Sequence, residues 1–452
     1  MEKASVFDKV NNWIKRSVTV KLFSIGFLIL ILLIPTSMLE SLIRERQEIR
    51  NSAIEEVSSK WGGRQTFGGP VLTVPYFTQL KDERGNIEKV KRYAHFLPEE
   101  IKITGDIHPE KRYRGIYVVV LYEASLHVSG RFGIPDYKET GLNESEFLPN
   151  EAFVSIGITD LKGVKDIVQM KLNDSTLAFG PGIPTHDVLA SGISVKCQAE
   201  KIANRNFSFD LNLNGSTNLS FLPFGKETIV KLNSAWGNPS FEGSFLPDER
   251  HVNDSGFAAS WKVLQLNRNY PQQGLGAFIG NTDGNEYESN SDNGYSAFGV
   301  RLMLPVDEYL KTMRSVKYCL MLIIITFLTF FFVEVLNKKR IHPIQYLLVG
   351  FAVCLFYVML LSISEQLNFS AAYLISAAAI VLLITYYTKH IFMDGKLTLI
   401  FSSLLILLYG FFYSLLQLED YALLLGSLGL FIILATIMYL TRKVNWYRDE
   451  NG

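Results

Sequence analysis

The sequence predicts an integral membrane protein with six transmembrane α-helices, one followed later by five, and a large β-rich antiparallel domain inserted between the first and second helices. Three observations predict this fold class. Charged residues are frequent over 40–316 and nearly vanish over 318–440. Six stretches are apolar over the roughly 20 residues that a helix needs to cross the bilayer. Within the charged region, short β-branched and aromatic runs alternate with Gly, Pro and Asn-Gly turn signals.

The first predicted span, 18–39, follows a basic segment, 1–17, that we place in the cytoplasm. Its apolar core is longer than that of a cleaved signal peptide, and no small-residue cleavage site follows it. We therefore interpret it as an uncleaved signal anchor. The other five spans are predicted to form a bundle over 317–441, followed by a cytoplasmic tail at 442–452, and they cover 317–336, 344–364, 369–388, 396–417 and 421–440.

The short loops between the predicted spans set the orientation, since Lys and Arg near span ends are retained on the cytoplasmic side. The loop after the second span holds Lys338, Lys339 and Arg340. The alternate loops, 364–368 and 418–420, hold acidic residues and no Lys or Arg. Both chain termini are therefore predicted to be cytoplasmic, and residues 40–316 to be periplasmic.

The predicted periplasmic region comprises 277 residues, with 30 Lys and Arg against 35 Asp and Glu. Helix-forming residues predict a juxtamembrane helix over 40–61, and a matching stalk helix over 306–316 is predicted to lead into the second span. Between them, 62–305 is predicted to be a sandwich or open barrel of about ten to fourteen strands. The low-complexity segment that begins at Gly280 is predicted to be a mobile loop.

The sequence carries no recognisable catalytic motif, because nucleophile elbows, Walker loops, dinucleotide fingerprints and histidines paired at metal spacing are all missing. We therefore expect no enzymatic activity, no catalytic residues, no cofactor and no metal site. Cys197 is the one cysteine outside the apolar spans, so no disulfide framework is expected there. Nucleic-acid binding is not expected, because no basic stripe with interleaved aromatic residues is present.

Three polar residues of the predicted bundle are candidates for a function in the membrane. A charged side chain at the bilayer centre costs about 2.5–3.5 kcal/mol on insertion scales, so Glu334 and Glu365 need an explanation. Glu334 lies one turn from the cytoplasmic end of its span and is expected to pair with Lys338. Glu365 is expected to meet water at the outer boundary, so interfacial interpretations are favoured for both. His342 is expected to hydrogen-bond at a helix start rather than line an inner vestibule.

Four stretches of the chain are similar to one known family. They are "RIHPIQYLLVG", "LLSISEQLNFS", "ALLLGSLGLFIILATIMYLTRKVNWY" and "NPSFEGSFLPDERHVNDSGFAASW". The chain resembles the CreD family of bacterial inner-membrane proteins over about 23–447. The resemblance implies a large periplasmic domain, an association with cell-envelope integrity and a stress response under two-component control. It implies no established catalytic activity, so no site residue is carried over from it.

Three functions remain open at this point. The favoured one is a non-enzymatic protein of cell-envelope integrity, whose periplasmic β domain binds an envelope component, such as a protein or a glycan. The second is a transporter or permease accessory, in which the last five spans form a conduit. The third is a membrane-bound hydrolase or transferase of envelope polymers, which would need a nucleophile–base pair or convergent acids in one outer pocket. In each case we expect membrane lipids as partners and no nucleic acid.

Overall fold

A computed structural model describes residues 18–81, 87–173, 175–279, 296–304, 308–337, 339, 341–418 and 421–442. The predicted segment 1–17, the loop that begins at Gly280 and the tail after Arg442 lie outside these residues. The chain divides into two compact units. One holds residues up to Ile49 and from Val306 onward, and the other is Arg50–Pro305.

The described residues form eight α-helices, most of them in the first unit. Helix α1 has residues in both units, and the short α2 belongs to the second. Their bounds are α1 Val18–Trp61, α2 Ala199–Ile202, α3 Glu308–Lys317, α4 Cys319–Leu336, α5 Pro343–Ser364, α6 Phe369–Phe392, α7 Gly395–Gln417 and α8 Ala422–Thr441.

Four of these helices, α1, α5, α6 and α7, are long and apolar enough to cross a membrane. A fifth candidate span is obtained if α3 and α4, which meet at a bend of 43°, are counted together. Helix α8 contributes a shorter apolar stretch, Leu423–Tyr439. The part of the chain described here therefore contains four to five candidate spans, and the total of six stays a prediction.

Local side-chain hydrogen bonds fix where the apolar helices begin. Asn368 precedes α6, and its Oδ1 accepts a hydrogen bond of 2.9 Å from the backbone N–H of Ala371. Asp394 precedes α7 and accepts from Lys396 N–H at 2.9 Å. Such caps satisfy backbone donors that the first turn of a helix leaves free, and each typically stabilises a helix by about 1 kcal/mol. A single capping residue thus helps to set the start of each of these two helices.

The segment before the second predicted span differs from its sequence prediction. We predicted a stalk helix over 306–316 that continues into that span. Helix α3 instead ends at Lys317, the chain turns at Tyr318, and α4 leaves at 43°. Helix α3 is amphipathic, with Thr312, Ser315 and Val316 buried on one side, and it belongs to the unit of the apolar helices. Burial of these side chains against neighbouring helices opposes a straight continuation of α3 into α4.

Seventeen strands form the second unit within the described residues, and five short 3₁₀ turns connect some of them. The strands are β1 Gln65–Lys81, β2 Ile87–Phe96, β3 Glu100–Arg114, β4 Tyr117–Arg131, β5 Phe153–Ile158, β6 Gln169–Leu172, β7 Ser175–Ala178, β8 Gly180–Pro181, β9 Gly192–Lys196, β10 Asn206–Ser216, β11 Asn218–Phe221, β12 Glu227–Ser234, β13 Pro239–Gly243, β14 Glu249–Asn253, β15 Gly256–Leu264, β16 Gln273–Leu275 and β17 Phe298–Leu302.

The strands build two sheets. The nine-stranded sheet has the order β13-β17-β11-β1-β5-β9-β8, with β2 on the long β1 and β16 on β2. The eight-stranded sheet has the order β14-β15-β12-β3-β4-β10-β6-β7. We predicted antiparallel pairing, but β1 pairs with β11, and β3 with β12, in parallel. Alternation along a strand predicts which face is buried, whereas the choice of a distant partner strand depends on the whole fold.

The two sheets pack face to face around one apolar core, which is the sandwich of the two predicted alternatives, and their seventeen described strands exceed the ten to fourteen predicted. The fully buried Trp261 of the eight-stranded sheet lies 5.7 Å from the Phe241 ring and 5.9 Å from the Phe298 ring of the other sheet, measured between ring centroids. Phe67 and Phe209 meet across the sheets at 6.4 Å. Burial of one such side chain stabilises the fold by about 1.5–3 kcal/mol, so these aromatic pairs hold the sandwich together.

The C-terminal end of α1 is fastened to the sandwich by Gln65, which is fully buried. Its Nε2 donates to the carbonyl oxygens of Asp160 at 2.9 Å and Asn214 at 3.0 Å, and its Oε1 accepts from Asp160 N–H at 3.1 Å. Gly62 joins helix to strand with a φ of 147°, and a Cβ there would lie 2.6 Å from the Asn214 oxygen. Only glycine allows this close approach of the two backbones.

Candidate functional site

A buried ionic cluster lies among the apolar helices and is centred on Glu334. The carboxylate is 3% exposed, and its Oε1 accepts from the Lys21 ammonium at 2.5 Å and from the Ile341 backbone N–H at 3.1 Å. Its Oε2 accepts from the Tyr346 hydroxyl at 3.0 Å. Helix α1 supplies the ammonium, α4 the carboxylate and α5 the phenol. Every oxygen of the buried carboxylate therefore has a partner, as a buried charge requires.

The structure gives Glu334 partners that the sequence did not indicate. We expected an interfacial carboxylate paired with Lys338, which lies outside the described residues. The described cation is Lys21, on a helix that is distant in sequence, and the carboxylate side chain is buried among the helices, while the interfacial position stays a prediction. Aromatic packing accounts for the burial, because the Tyr346 ring lies against Phe327 at 5.5 Å and Phe330 at 5.6 Å. Spacing within one helix gave no signal for this partner.

Glu365 and His342 lie at opposite ends of α5. Glu365 follows the last residue of the helix, is half-buried, and accepts a hydrogen bond of 2.9 Å from the Tyr309 hydroxyl of α3. His342 precedes the helix, and its Nδ1 accepts from Ile344 N–H at 3.3 Å. The Gln345 side chain accepts in return from His342 N–H at 2.9 Å. The expected helix-start role of His342 is therefore confirmed, whereas the sequence did not reveal the partner of Glu365.

Further polar side chains lie between the two ends of the bundle. Thr36 of α1 lies 3.9 Å from the sulfur of Cys319. The Tyr373 hydroxyl donates to the Tyr409 carbonyl oxygen at 2.8 Å. Within the described residues, the Tyr409 hydroxyl and the Ser376 hydroxyl are buried and have no hydrogen-bond partner. Polar groups without partners are costly in an apolar setting, so these two hydroxyls are a second polar feature among the apolar helices.

In the strand-rich unit, Thr73, His95 and Asp187 form a chain of hydrogen bonds. Thr73 and His95 face each other in register on β1 and β2, and the Thr73 Oγ1 lies 2.9 Å from the His95 Nδ1. The His95 Nε2 lies 3.2 Å from the Asp187 Oδ2. Burial lowers the pKa of His95, and the hydrogen bond and charge of Asp187 oppose that shift. The imidazole is thus neutral at neutral pH, accepting from Thr73 and donating to Asp187.

The order hydroxyl, imidazole, carboxylate is also found in nucleophilic hydrolases. Here Thr73 and His95 are each 1% exposed, whereas the Asp187 side chain is 30% exposed. The group nearest to solvent is therefore the carboxylate, at the opposite end from the hydroxyl that would have to attack a substrate. The Phe278 ring further covers the imidazole, at 6.2 Å between centroids. This geometry fits a fastening between the sheet and the segment before β9.

A small cavity of about 290 Å³ opens in the strand-rich unit. Lys111 of β3, Trp236 and Asn238 between β12 and β13, and Asp254 between β14 and β15 line it. The Lys111 Nζ lies 5.3 Å from the centroid of the Trp236 ring. The indole N–H donates to the Met303 carbonyl oxygen at 2.9 Å, which fixes the ring. A cation, a carboxylate, an amide and an indole thus converge on one concave site.

Metal and thiol chemistry find little support in the described part of the chain. Groups of three or more His, Cys, Asp or Glu side chains that could hold a metal ion are absent from it. Burial raises the pKa of the Cys197 thiol to about 12, so the thiolate required for nucleophilic attack is scarce at neutral pH.

The comparisons with known proteins agree with the sequence resemblance. The family described as inner membrane protein CreD matches residues 17–447. The chain belongs to the CreD family. It is 31% identical over 436 residues to the inner membrane protein CreD of Escherichia coli (strain K12), and the match covers 94% of this chain and 93% of that protein. This CreD-family chain is thus a multi-pass bacterial inner-membrane protein with a β-rich domain after its N-terminal helix.

Proposed function

We propose that this chain is a non-enzymatic inner-membrane protein of cell-envelope integrity, and that its strand-rich domain faces the periplasm and binds an envelope component. The observation that carries the proposal is the cavity formed by Lys111, Trp236, Asn238 and Asp254. Its polar groups come from one strand, β3, and from two connections of the same sandwich, the one between β12 and β13 and the one between β14 and β15. Binding residues are concentrated on loops that a rigid scaffold positions, and this cavity has that design.

The chemistry of the cavity defines the class of ligand. Lys111 offers an ammonium, Asp254 a carboxylate and Asn238 an amide, so hydroxyl-rich or zwitterionic groups are well matched. At about 290 Å³ the volume is near the low end for ligand sites. It holds a single sugar ring or a short peptide segment. We therefore infer that the ligand is a glycan or a peptide segment of an envelope protein, of which one unit enters the cavity.

The periplasmic location is supported by charge. The cations of the loop 337–340 and of the C-terminal tail favour a cytoplasmic location for those segments, and one predicted span separates that loop from the strand-rich domain, so the proposal puts the domain in the periplasm.

The test is site-specific photo-crosslinking of the full chain in intact cells. A photoreactive amino acid replaces Ala235, an exposed residue of the cavity lining that supplies no polar group, and the crosslinked species are identified by mass spectrometry. The matched control replaces Ile167, which is 78% exposed in the same domain and does not line the cavity. We expect a discrete adduct from position 235, reduced by Lys111→Ala, and none from position 167. Equal adducts from both positions, or none from either, would contradict the proposal.

Complementation provides a second test. A strain that lacks the gene should regain resistance to envelope stress with the wild-type chain and with Ile167→Ala. The combined Lys111→Ala and Asp254→Ala variant should be made at normal levels and fail to restore resistance. Full resistance with that variant would show that the cavity is not needed for resistance to envelope stress.

A second function, a conduit or permease accessory, is favoured by the Lys21–Glu334–Tyr346 cluster and the partnerless Ser376 and Tyr409 hydroxyls. Ionisable groups among apolar helices often mark pathways for ions or substrates. Reconstituted vesicles loaded with a pH dye test this idea. Proton flux that is lost in Glu334→Gln would support a conduit. Identical dye traces from vesicles with and without the protein would rule the conduit out.

A further inference from the structure

A groove lies between α4 and α8 in the helical unit and has a volume of about 460 Å³. Its walls are apolar along their length, with Ile324 and Leu328 on α4 and Leu430 and Leu434 on α8. Lys317 and Tyr318, at the bend between α3 and α4, complete one end. The groove thus has a long apolar body and a single polar end, which is the pattern of a lipid rather than of a soluble metabolite.

The packing of α8 explains why the groove stays open. Among the described side chains of α8, Gly429 alone is buried, and a Cβ at that position would lie 2.3 Å from a ring atom of Phe411 on α7. Helix α8 therefore approaches α7 through a glycine, as small residues allow in membrane helices. On the side facing α4 its side chains are large and still exposed, with Leu430 at 50% and Leu434 at 57%.

The polar end of the groove selects the charge of the occupant. Lys317 is exposed, and its ammonium is the charged group in the lining. The Tyr318 ring lies 6.0 Å from the Phe412 ring, measured between centroids, which holds the phenol at the bundle edge. Lys and Tyr at such positions reach toward lipid headgroups, and basic sites between helices favour anionic ones.

We propose that this groove binds one acyl chain of an anionic phospholipid, with the phosphate-containing headgroup at Lys317. Each methylene that leaves water for an apolar site contributes to binding, but surrounding lipid tails are equally apolar, so selectivity must come from shape and from the headgroup. The glycine contact of α8 supplies the shape, and Lys317 supplies the preference for negative charge. Binding here also joins α8 to α4, two helices whose facing surfaces the protein alone leaves apart.

The test uses the full chain in nanodiscs made from equimolar phosphatidylcholine and phosphatidylglycerol, with a trace of a phosphatidylglycerol carrying a photoreactive group on its acyl chain. Peptide mapping after illumination should place most of the label on two segments, 317–328 at α4 and 430–437 on α8. Leu434→Trp, which fills the groove, should reduce that label severalfold. The control Leu428→Trp lies on the same helix, where Leu428 is 54% exposed and does not line the groove, and it should leave the label unchanged.

Headgroup preference is measured by repeating the labelling with the matching phosphatidylcholine probe. We expect the wild type to favour the anionic probe by about fivefold, the effect of one cation near a lipid phosphate, and Lys317→Gln to abolish that preference. Label spread evenly over all lipid-facing helices would overturn the proposal. So would equal labelling by both probes in the wild type, or an unchanged pattern in Leu434→Trp.

Discussion

The Lys21 ammonium lies 2.5 Å from the Oε1 atom of Glu334, although the two residues are 313 positions apart in the chain. The contact joins the first helix to a helix that follows the whole strand-rich domain. The carboxylate is 3% exposed, and its oxygens are satisfied by this ammonium and by the two hydrogen bonds from Tyr346 and Ile341. The pair therefore links α1 to α4, two helices of the helical unit that are far apart in sequence.

The first prediction concerns removal of this carboxylate. Glu334→Ala leaves the Lys21 ammonium and the Tyr346 hydroxyl without their acceptor, so we expect a loss of about 2–4 kcal/mol in stability. The value is below that of a fully buried pair because Lys21 is 31% exposed. Thermal unfolding of the purified full chain in one detergent measures the change. A double-mutant cycle with Lys21→Met should show coupling, and additivity within about 0.5 kcal/mol would argue against the pair.

The second prediction concerns packing of the first helix. A Cβ at Gly350 of α5 would lie 2.3 Å from the Leu32 Cδ1 of α1 and 3.0 Å from the Phe327 Cζ of α4. Gly350→Ala should therefore destabilise the helical unit by about 1–3 kcal/mol, the usual cost of overpacking. Gly410→Ala is the matched control, since a Cβ there meets nothing within 4 Å. It should be neutral or stabilising, because alanine favours helix. Similar melting temperatures for both variants would refute the close contact.

The third prediction concerns the fastening at the end of α1. Gln65→Leu removes three hydrogen bonds and leaves the carbonyl oxygens of Asp160 and Asn214 without this donor. We expect the strand-rich domain to lose about 2–4 kcal/mol. Gln79→Leu, at an exposed position of the same strand, serves as the control and should change little. Limited proteolysis of the full chain at increasing urea concentration measures the difference. Equal sensitivity of the two variants would show that Gln65 does not stabilise the strand-rich domain.

The fourth prediction concerns pH. Burial lowers the pKa of His95 in the folded state below its usual value of 6.5. The unfolded chain therefore takes up a proton first as the pH falls, so stability is full above pH 6.5 and declines below it until the lowered folded pKa is reached. Hydrogen exchange of the β1 and β2 peptides between pH 5 and 8 should show faster opening at the acidic end. The His95→Gln variant should lose this dependence, and a flat wild-type profile would contradict the assignment.

Much of the helical unit could be predicted from the sequence. The predicted spans 344–364, 369–388 and 396–417 correspond to Pro343–Ser364, Phe369–Phe392 and Gly395–Gln417. Apolar length is a local signal, so these spans could be recognised, although the helix predicted to end at 388 continues to Phe392. The bend at Tyr318 was missed because it follows from packing of α3 against other helices, which no local pattern records.

Most contacts within the candidate sites could not be predicted from the sequence. His342 was interpreted correctly because its hydrogen bonds lie within three residues. Lys21 and Glu334, or Thr73, His95 and Asp187, meet only after distant strands or helices have packed. Histidine and carboxylate positions in the sequence gave no spacing signal for these contacts. The residues of the cavity were not singled out from the sequence, because Lys111, Trp236 and Asp254 lie on separate segments that only the fold brings together.

Cysteine accessibility tests the central claim, that the strand-rich domain and its cavity face the periplasm. Asp254→Cys and Lys339→Cys are made separately in a Cys197→Ser background, and cells with a permeabilised outer membrane are treated with a membrane-impermeant maleimide. We predict labelling of position 254 before lysis and of position 339 only after the inner membrane is broken. Labelling of position 254 only after lysis would contradict the account.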